Sequence, residues 1–331
     1  MRCGRHALPI LADAMSGRTR PSGAVQLAVR AGAAATLGAA IVLPLVRKRL
    51  RVPNPVTLAV SAAGPLAVAV LAPRTRKRDV ALFAMQMWAF TVVHEMPYDD
   101  PEKLRRRLYT RYPIQVDERI GLGRLPGARL QTMLAGRRHS AALDRFLTVT
   151  HWLWFIEPYT VLAWILVRHP DQFPRAARQL AAVFDGGAFL YWAVPTAPPW
   201  WASEQGLTKE PMRRIMFEVG EPLWGRYWGP LYKALGGNPW AAMPSLHFAT
   251  SVVGAKSLSE ANKREGAVAW AYALTLGFGL VYLGEHYVTD LLAGAGLVVA
   301  VRGADPVFTP AVGRVNKVIQ RLERIAAGRP R

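Results

Sequence analysis

The chain has 331 residues, 51% of them hydrophobic, with eleven tryptophans and a formal charge of +20. Its apolar runs are long and end in basic clusters or in Trp and Tyr, which excludes an ordinary soluble pair of domains. Lys and Arg sit mainly between those runs, which favours anionic lipid and phosphate-bearing substrates over nucleic acid, and the single cysteine, Cys3, excludes a disulfide framework or a multi-cysteine metal site. The first twenty residues hold no apolar core of useful length, so residues 1–24 are expected as a basic cytoplasmic tail with no cleaved signal peptide. Spans are predicted at 25–46, 55–72, 80–93, 146–167, 179–194, 244–258, 267–282 and 287–301. Several are shorter than the roughly 20 residues a bilayer needs and must extend into polar flanks or tilt. The expected fold is an all-α polytopic membrane helix bundle. Its expected divisions are the tail 1–24, the N-terminal spans and an interfacial region at 25–145, a membrane core at 146–301, and a basic amphipathic cytoplasmic tail at 302–331.

Loop charges orient the core. Arg168, Arg175 and Arg178 close one short loop, Lys263 and Arg264 another, and Arg302 follows the last span, so these ends are expected in the cytoplasm. The start of 244–258, the end of 267–282 and the start of 287–301 then meet on the opposite face, joined there by the loop 197–240. The first two spans are ambiguous, because "RKRLR" between them matches "RTRKR" after them in charge. Residues 95–143 are too polar to span and carry an interfacial pattern near "RLPGARLQTML". In the C-terminal tail, Val315, Val318, Ile319 and Leu322 recur at helical spacing between basic residues, as in a helix lying on a leaflet.

Two stretches carry chemistry, "NPWAAMPSLHFATS" at 238–251 and "YLGEHYVTDLLAG" at 282–294. His286 and Asp290 are four residues apart, so on a helix they share one face. A carboxylate there accepts a proton from one ring nitrogen and leaves the other bare and nucleophilic. His247, on another helix at the same face, is placed to protonate a leaving oxygen. Pro244 suits the first helical position, which leaves the N–H groups of Ser245, Leu246 and His247 to bind phosphate. These parts fit phosphoryl transfer through a phosphohistidine. Two histidines and an aspartate also resemble a metal-binding facial triad, but no further ligand-rich motif accompanies them, so neither metal nor cofactor is expected.

"AMPSLH" and "HYVTDLLAG" resemble the second and third signatures of the type-2 phosphatidic acid phosphatase superfamily. With "TAPPWW" at 196–201, the set is similar to inositol phosphorylceramide synthase and its bacterial relatives, over roughly residues 146–301. The resemblance implies a metal-independent, phosphohistidine-forming enzyme on a six-helix membrane core, with His286 as nucleophile, Asp290 as its orienter and His247 as acid. Two features depart from the wider superfamily. No lysine followed after six residues by Arg-Pro precedes Pro199, and the Ser-Arg pair of the third signature is replaced by Gly279 and Leu280.

Two phosphate-binding cations are therefore absent from their usual places, and Arg213, Arg214, Arg226 and Lys233 are the available substitutes, unless they simply form a solvated loop face. Ser245, Pro198, Pro199, Trp200, Arg213, Arg214 and Tyr287 are the expected substrate-binding residues. Pro198, Pro199 and Trp200 shape a pocket rim or belong to an interfacial aromatic belt. His151, Glu157, Asp185, His94 and Glu95 either line a headgroup cavity or pair among themselves. The expected activity is a lipid-phosphate phosphatase or phosphotransferase on the non-cytoplasmic face, with an inositol-phosphate-type headgroup among the options. Its rivals are a polyprenyl (di)phosphate or phosphatidate phosphatase and a noncatalytic lipid-binding protein. Arg exceeds Lys, which favours a bacterial plasma membrane. Membrane lipids are the expected partners, and a homo-oligomer stays open.

Overall fold

The computed structural model describes residues 21–135, 140–231 and 238–329. Cys3, Lys233 and most of the N-terminal tail lie outside the described residues. Among those described, the structure is helical, with only isolated bridges from Thr196 to Tyr109 and Ala241. Among the described residues, three helices are long and apolar enough to cross a membrane: α1 (Gly23–Val46), α2 (Asn54–Leu71) and α14 (Val288–Ala326). The protein is an all-α membrane helix bundle.

Two compact units are present, one formed by residues up to 92 with those from 306 onward, the other by 93–305. In the first, α1 and α2 pack with α3 (Arg76–Glu95) around Ala40, Val68 and Met85, and the Trp88 indole donates to the Ala40 carbonyl at 2.9 Å. Arg74 and Arg78 pair there with Glu323.

The second unit holds the two motif stretches. The described residues between 95 and 135 include the short helices α4 (Pro101–Arg105), α5 (Arg111–Ile120) and α6 (Pro126–Ala135), none long enough to span. The span expected at 146–167 is two helices instead, α7 (Ser140–Leu153) and α8 (Glu157–Arg168). Pro158 supplies no N–H and suits the first turn of a new helix, while the break closes with i to i−3 bonds from Trp154, Phe155 and Ile156. Helix α9 (Phe173–Ala193) follows, then the short α10 (Pro199–Glu204) and α11 (Ile215–Trp224).

Helices α12 (Leu246–Ala261) and α13 (Lys263–Tyr282) form a hairpin that turns on Asn262. Its backbone N–H closes α12 on the Leu258 carbonyl, and its side chain caps α13 at Arg264 and Glu265. The expected boundary at 302 is not a helix end: α14 runs 39 residues without interruption to Ala326, through Pro306 and Pro310. The start of α9 and the end of α12 are tied to the middle of α14, with Arg178 on Asp305 at 2.8 Å and Arg302 on Gln179 and Glu260. Val183, Phe184, Leu276 and Leu280 fill the interior, whereas Phe189, Val268, Leu292 and Val299 present apolar surface outward, as lipid-facing residues do.

Candidate active site

The site forms where α12 and α14 begin and α13 ends. Helix α13 leaves the bundle through Gly284, whose φ of 81° is a conformation that suits glycine. The N–H groups of Glu285 and His286 both return to the Leu280 carbonyl, which delivers His286 to the position just before α14. His286 is 4% exposed, and its Nδ1 lies 3.2 Å from Asp290 Oδ2. The same carboxylate oxygen accepts the Tyr287 N–H at 2.9 Å, one half of a capping box on the new helix. Asp290 is fully buried, and its carboxylate is thereby fixed on the imidazole. With Nδ1–H donating to Asp290, Nε2 of His286 is left bare. His247 Nδ1 stands 3.2 Å from that nitrogen. The stretches nearly forty residues apart in sequence thus meet ring to ring.

Helix α12 starts two residues later than its sequence indicates. Ser245 is the N-cap, its hydroxyl accepting from Phe248 N at 3.3 Å, so Pro244 precedes the cap instead of opening the helix. The Ser245 N–H is taken by the Asp290 backbone carbonyl at 2.9 Å and its side chain is buried, which removes it from the donors expected to face phosphate. That bond fastens the two motif helices backbone to backbone. Pro244 itself is held by the Tyr191 hydroxyl, which donates to its carbonyl at 2.8 Å.

His247 sits in an aromatic wall, with ring centroids 4.1 Å from Trp154 and 4.7 Å from His151. The break between α7 and α8 creates that wall, since it turns Trp154 so that its indole donates to Thr250 on α12 at 2.8 Å. His151 contacts the Met216 sulfur through Nδ1 and is buried, with no hydrogen-bond partner at Nε2. Glu157 accepts from the Ser251 hydroxyl at 3.2 Å, and Ser251 also donates to the His247 carbonyl. His94 lies edge-on to Tyr191 and pairs with Glu95.

The proline-tryptophan segment is a junction. Pro198 and Pro199 open α10, and the Trp200 N–H donates to the Gly284 carbonyl at 3.0 Å, beside the histidine loop. The Arg214 guanidinium lies 3.6 Å over the Trp200 ring, within the electrostatic reach of Glu285. Burial pushes the Glu285 carboxyl up to about 7, against the opposing charges of Arg214 and His286. Arg213 is drawn elsewhere: its side chain pairs with Glu218 and Asp144, and its backbone is held by Gln131. Arg226 is exposed and rests on the Tyr227 ring. Tyr287 packs among Ile114, Leu125, Ala128, Ala202 and Met212 and is 2% exposed, so its ring serves as a core residue.

An oriented imidazole pair at the joined ends of three helices defines a buried His-His-Asp site in a membrane bundle. Residues 114–304, more than half of the chain, match the PAP2 superfamily, and the chain belongs to it. No curated protein and no solved structure matches the chain. As a member, it is a membrane protein of phosphatase type that acts on lipid phosphates. The matched region begins on α5, so it includes interfacial sequence as well as the core.

Proposed function

We propose that the protein transfers the phosphoryl headgroup of a lipid phosphate through a phosphohistidine, in the manner of the inositol phosphorylceramide synthase-like branch. The observation that carries this reading is the line Asp290 Oδ2, His286 Nδ1, His286 Nε2, His247 Nδ1, with both contacts at 3.2 Å. His286 Nε2 attacks phosphorus, and Asp290 holds the tautomer and stabilises the charge that develops on the ring. His247 gives its proton to the departing oxygen and takes one from the incoming hydroxyl. Phosphorus replaces the present contact between the two rings, so the substrate enters by parting them.

Arg214 on its Trp200 platform is the proposed phosphate cation, in place of the pair absent at Gly279 and Leu280. The reaction is proposed to need no metal, because His247, His286 and Asp290 already engage one another as acid, nucleophile and orienter. The proposed location is a bacterial plasma membrane, with the site on the non-cytoplasmic face and the basic ends of α9, α12 and α13 inside. The positive-inside rule supports that orientation.

The test incubates purified protein in detergent with labelled phosphatidate, polyprenyl phosphates and phosphatidylinositol, with and without alcohol acceptors. A new phosphodiester or phosphomonoester formed only with an alcohol supports transfer, and free phosphate alone would reassign the protein as a phosphatase. Absence of turnover and of labelled protein across the panel would refute the catalytic reading. Activity that chelators abolish and a divalent ion restores would refute metal independence.

A further inference from the structure

Asp117 is a buried carboxylate on α5, about 170 residues before the site, and is 1% exposed. Its Oδ2 accepts the Val288 N–H at 2.8 Å, and its Oδ1 accepts both the Thr289 N–H at 2.8 Å and the Thr289 hydroxyl at 2.5 Å. Val288 and Thr289 are the first two residues of α14, the helix that carries Asp290. The free N–H groups of a helix start are normally met by a Ser, Thr, Asp or Asn just before it. Here that place belongs to His286 and Tyr287, neither of which caps, so the cap comes from a distant helix.

We infer that Asp117 is a positioning residue for the reaction, fixing the first turn of α14 and with it the alignment of Asp290 and His286. The inference rests on the proposed roles of those two residues. Three features distinguish this cap from an ordinary structural bond. It acts on the two residues directly before Asp290, whose own carboxylate closes the other half of the same helix start through Tyr287. Its helix also reaches the second motif, because the Tyr112 hydroxyl contacts the Met243 sulfur at 2.8 Å, just before Pro244. Finally, Ile114 on the same helix shares a buried apolar cluster with Tyr287, the residue after His286. The helix that looked like an interfacial accessory brackets both catalytic stretches.

The test compares Asp117→Asn and Thr289→Val with the parent protein in detergent, measuring single-turnover phosphohistidine formation, kcat, KM and thermal stability. Asn keeps the shape but sets an amide donor against one backbone N–H. Asp117→Asn is therefore expected to slow phosphohistidine formation and kcat on the order of tenfold or more, with KM within about threefold. Thr289→Val removes only the hydroxyl contact and is expected to stay within about threefold of the parent in all three. Phosphohistidine formation at the parent rate in Asp117→Asn would overturn the inference. So would kcat and KM changing together, in proportion to lost stability, since that marks a merely structural bond. If neither the parent nor Thr289→Val forms a phosphohistidine, the failure lies in the catalytic reading, independently of Asp117.

Discussion

Replacing Gly294 with alanine tests whether the two motif helices must touch. Gly294 lies one turn beyond Asp290 on α14, at the crossing with α12. A Cβ built there meets the Ser245 carbonyl oxygen at 2.7 Å, with the Ala249 Cβ at 3.4 Å and its N at 3.6 Å. The closest obstacle is backbone, and that carbonyl already accepts the first helical bond of α12, from Ala249 N at 2.9 Å. Relief cannot come from a rotamer change; the helices must separate. Normal contact requires about 0.5–1 Å more room. Overpacking of this kind costs about 1–3 kcal/mol of stability.

The same displacement acts on the chemistry. It strains the bond from Ser245 N to the Asp290 carbonyl and moves His247 away from His286, now 3.2 Å apart. A misplacement of this size costs up to about a hundredfold in rate. Gly294→Ala is expected to fold, to lower the melting temperature by a few degrees, and to reduce kcat tenfold to a hundredfold. The assay is turnover of a labelled lipid phosphate in detergent, beside a thermal melt. Parent-like kcat with an unchanged melt would show that the helices tolerate separation, and the backbone contact would lose its proposed importance.

Three further outcomes are expected. His286→Ala should abolish both turnover and phosphoenzyme, whereas His247→Ala should recover activity on an aryl phosphate with an acidic leaving group, because that group needs little help from an acid; phosphoenzyme formation by His286→Ala, measured with labelled substrate, would reverse the roles. Arg214→Ala should raise KM about tenfold, the scale of one charge-assisted contact, while Arg213→Ala, which breaks an exposed ion pair with Glu218, should leave KM within about twofold; steady-state kinetics in which Arg213→Ala has the larger effect would move the phosphate site. Glu285 is raised from 4.5 to about 7, so the folded state holds a proton that the unfolded state has released, and stability should fall as pH rises from 4.5 to about 7. That contribution is at most about 3 kcal/mol, and in thermal melts Glu285→Gln should flatten the slope; an unchanged slope would locate the effect elsewhere.

The local part of the site was legible and the long-range part was not. The i, i+4 spacing of His286 and Asp290 pointed to their contact, although His286 precedes α14 and does not share a helix face with Asp290. The break at 154–156 was hidden because Trp154, Phe155 and Ile156 are as apolar as the helices around them, and the proline that forces it, Pro158, looks harmless in a hydropathy window. The continuation of α14 past Arg302 is hidden for the opposite reason: the charge there ends the apolar stretch and not the helix. Asp117 left no signal. Its partners are backbone N–H groups 171 and 172 residues away, and backbone donors have no sequence signature. The same holds for Gly294, whose importance is visible only once the Ser245 carbonyl is opposite it.

The departures at 279 and 280 also acquire a physical sense. Leu280 is fully buried, and its carbonyl is the anchor for both Glu285 and His286. Gly279 faces Leu147 on α7, with room for no more than an ordinary contact at 3.4 Å. An arginine at 280 in this packing would place a charge in an apolar interior, a cost of several kcal/mol where it stays unpaired. The phosphate cation proposed for this chain accordingly lies on a different element. Trp200 and Glu285 flank the one proposed, since the Arg214 guanidinium lies over an aromatic face within electrostatic reach of a carboxyl. The tryptophan of the proline-rich segment and the leucine in the third signature are then two sides of one arrangement. In the proposed arrangement α13 packs on α7 without a charge at 280, and the phosphate cation comes from the loop that carries Arg214.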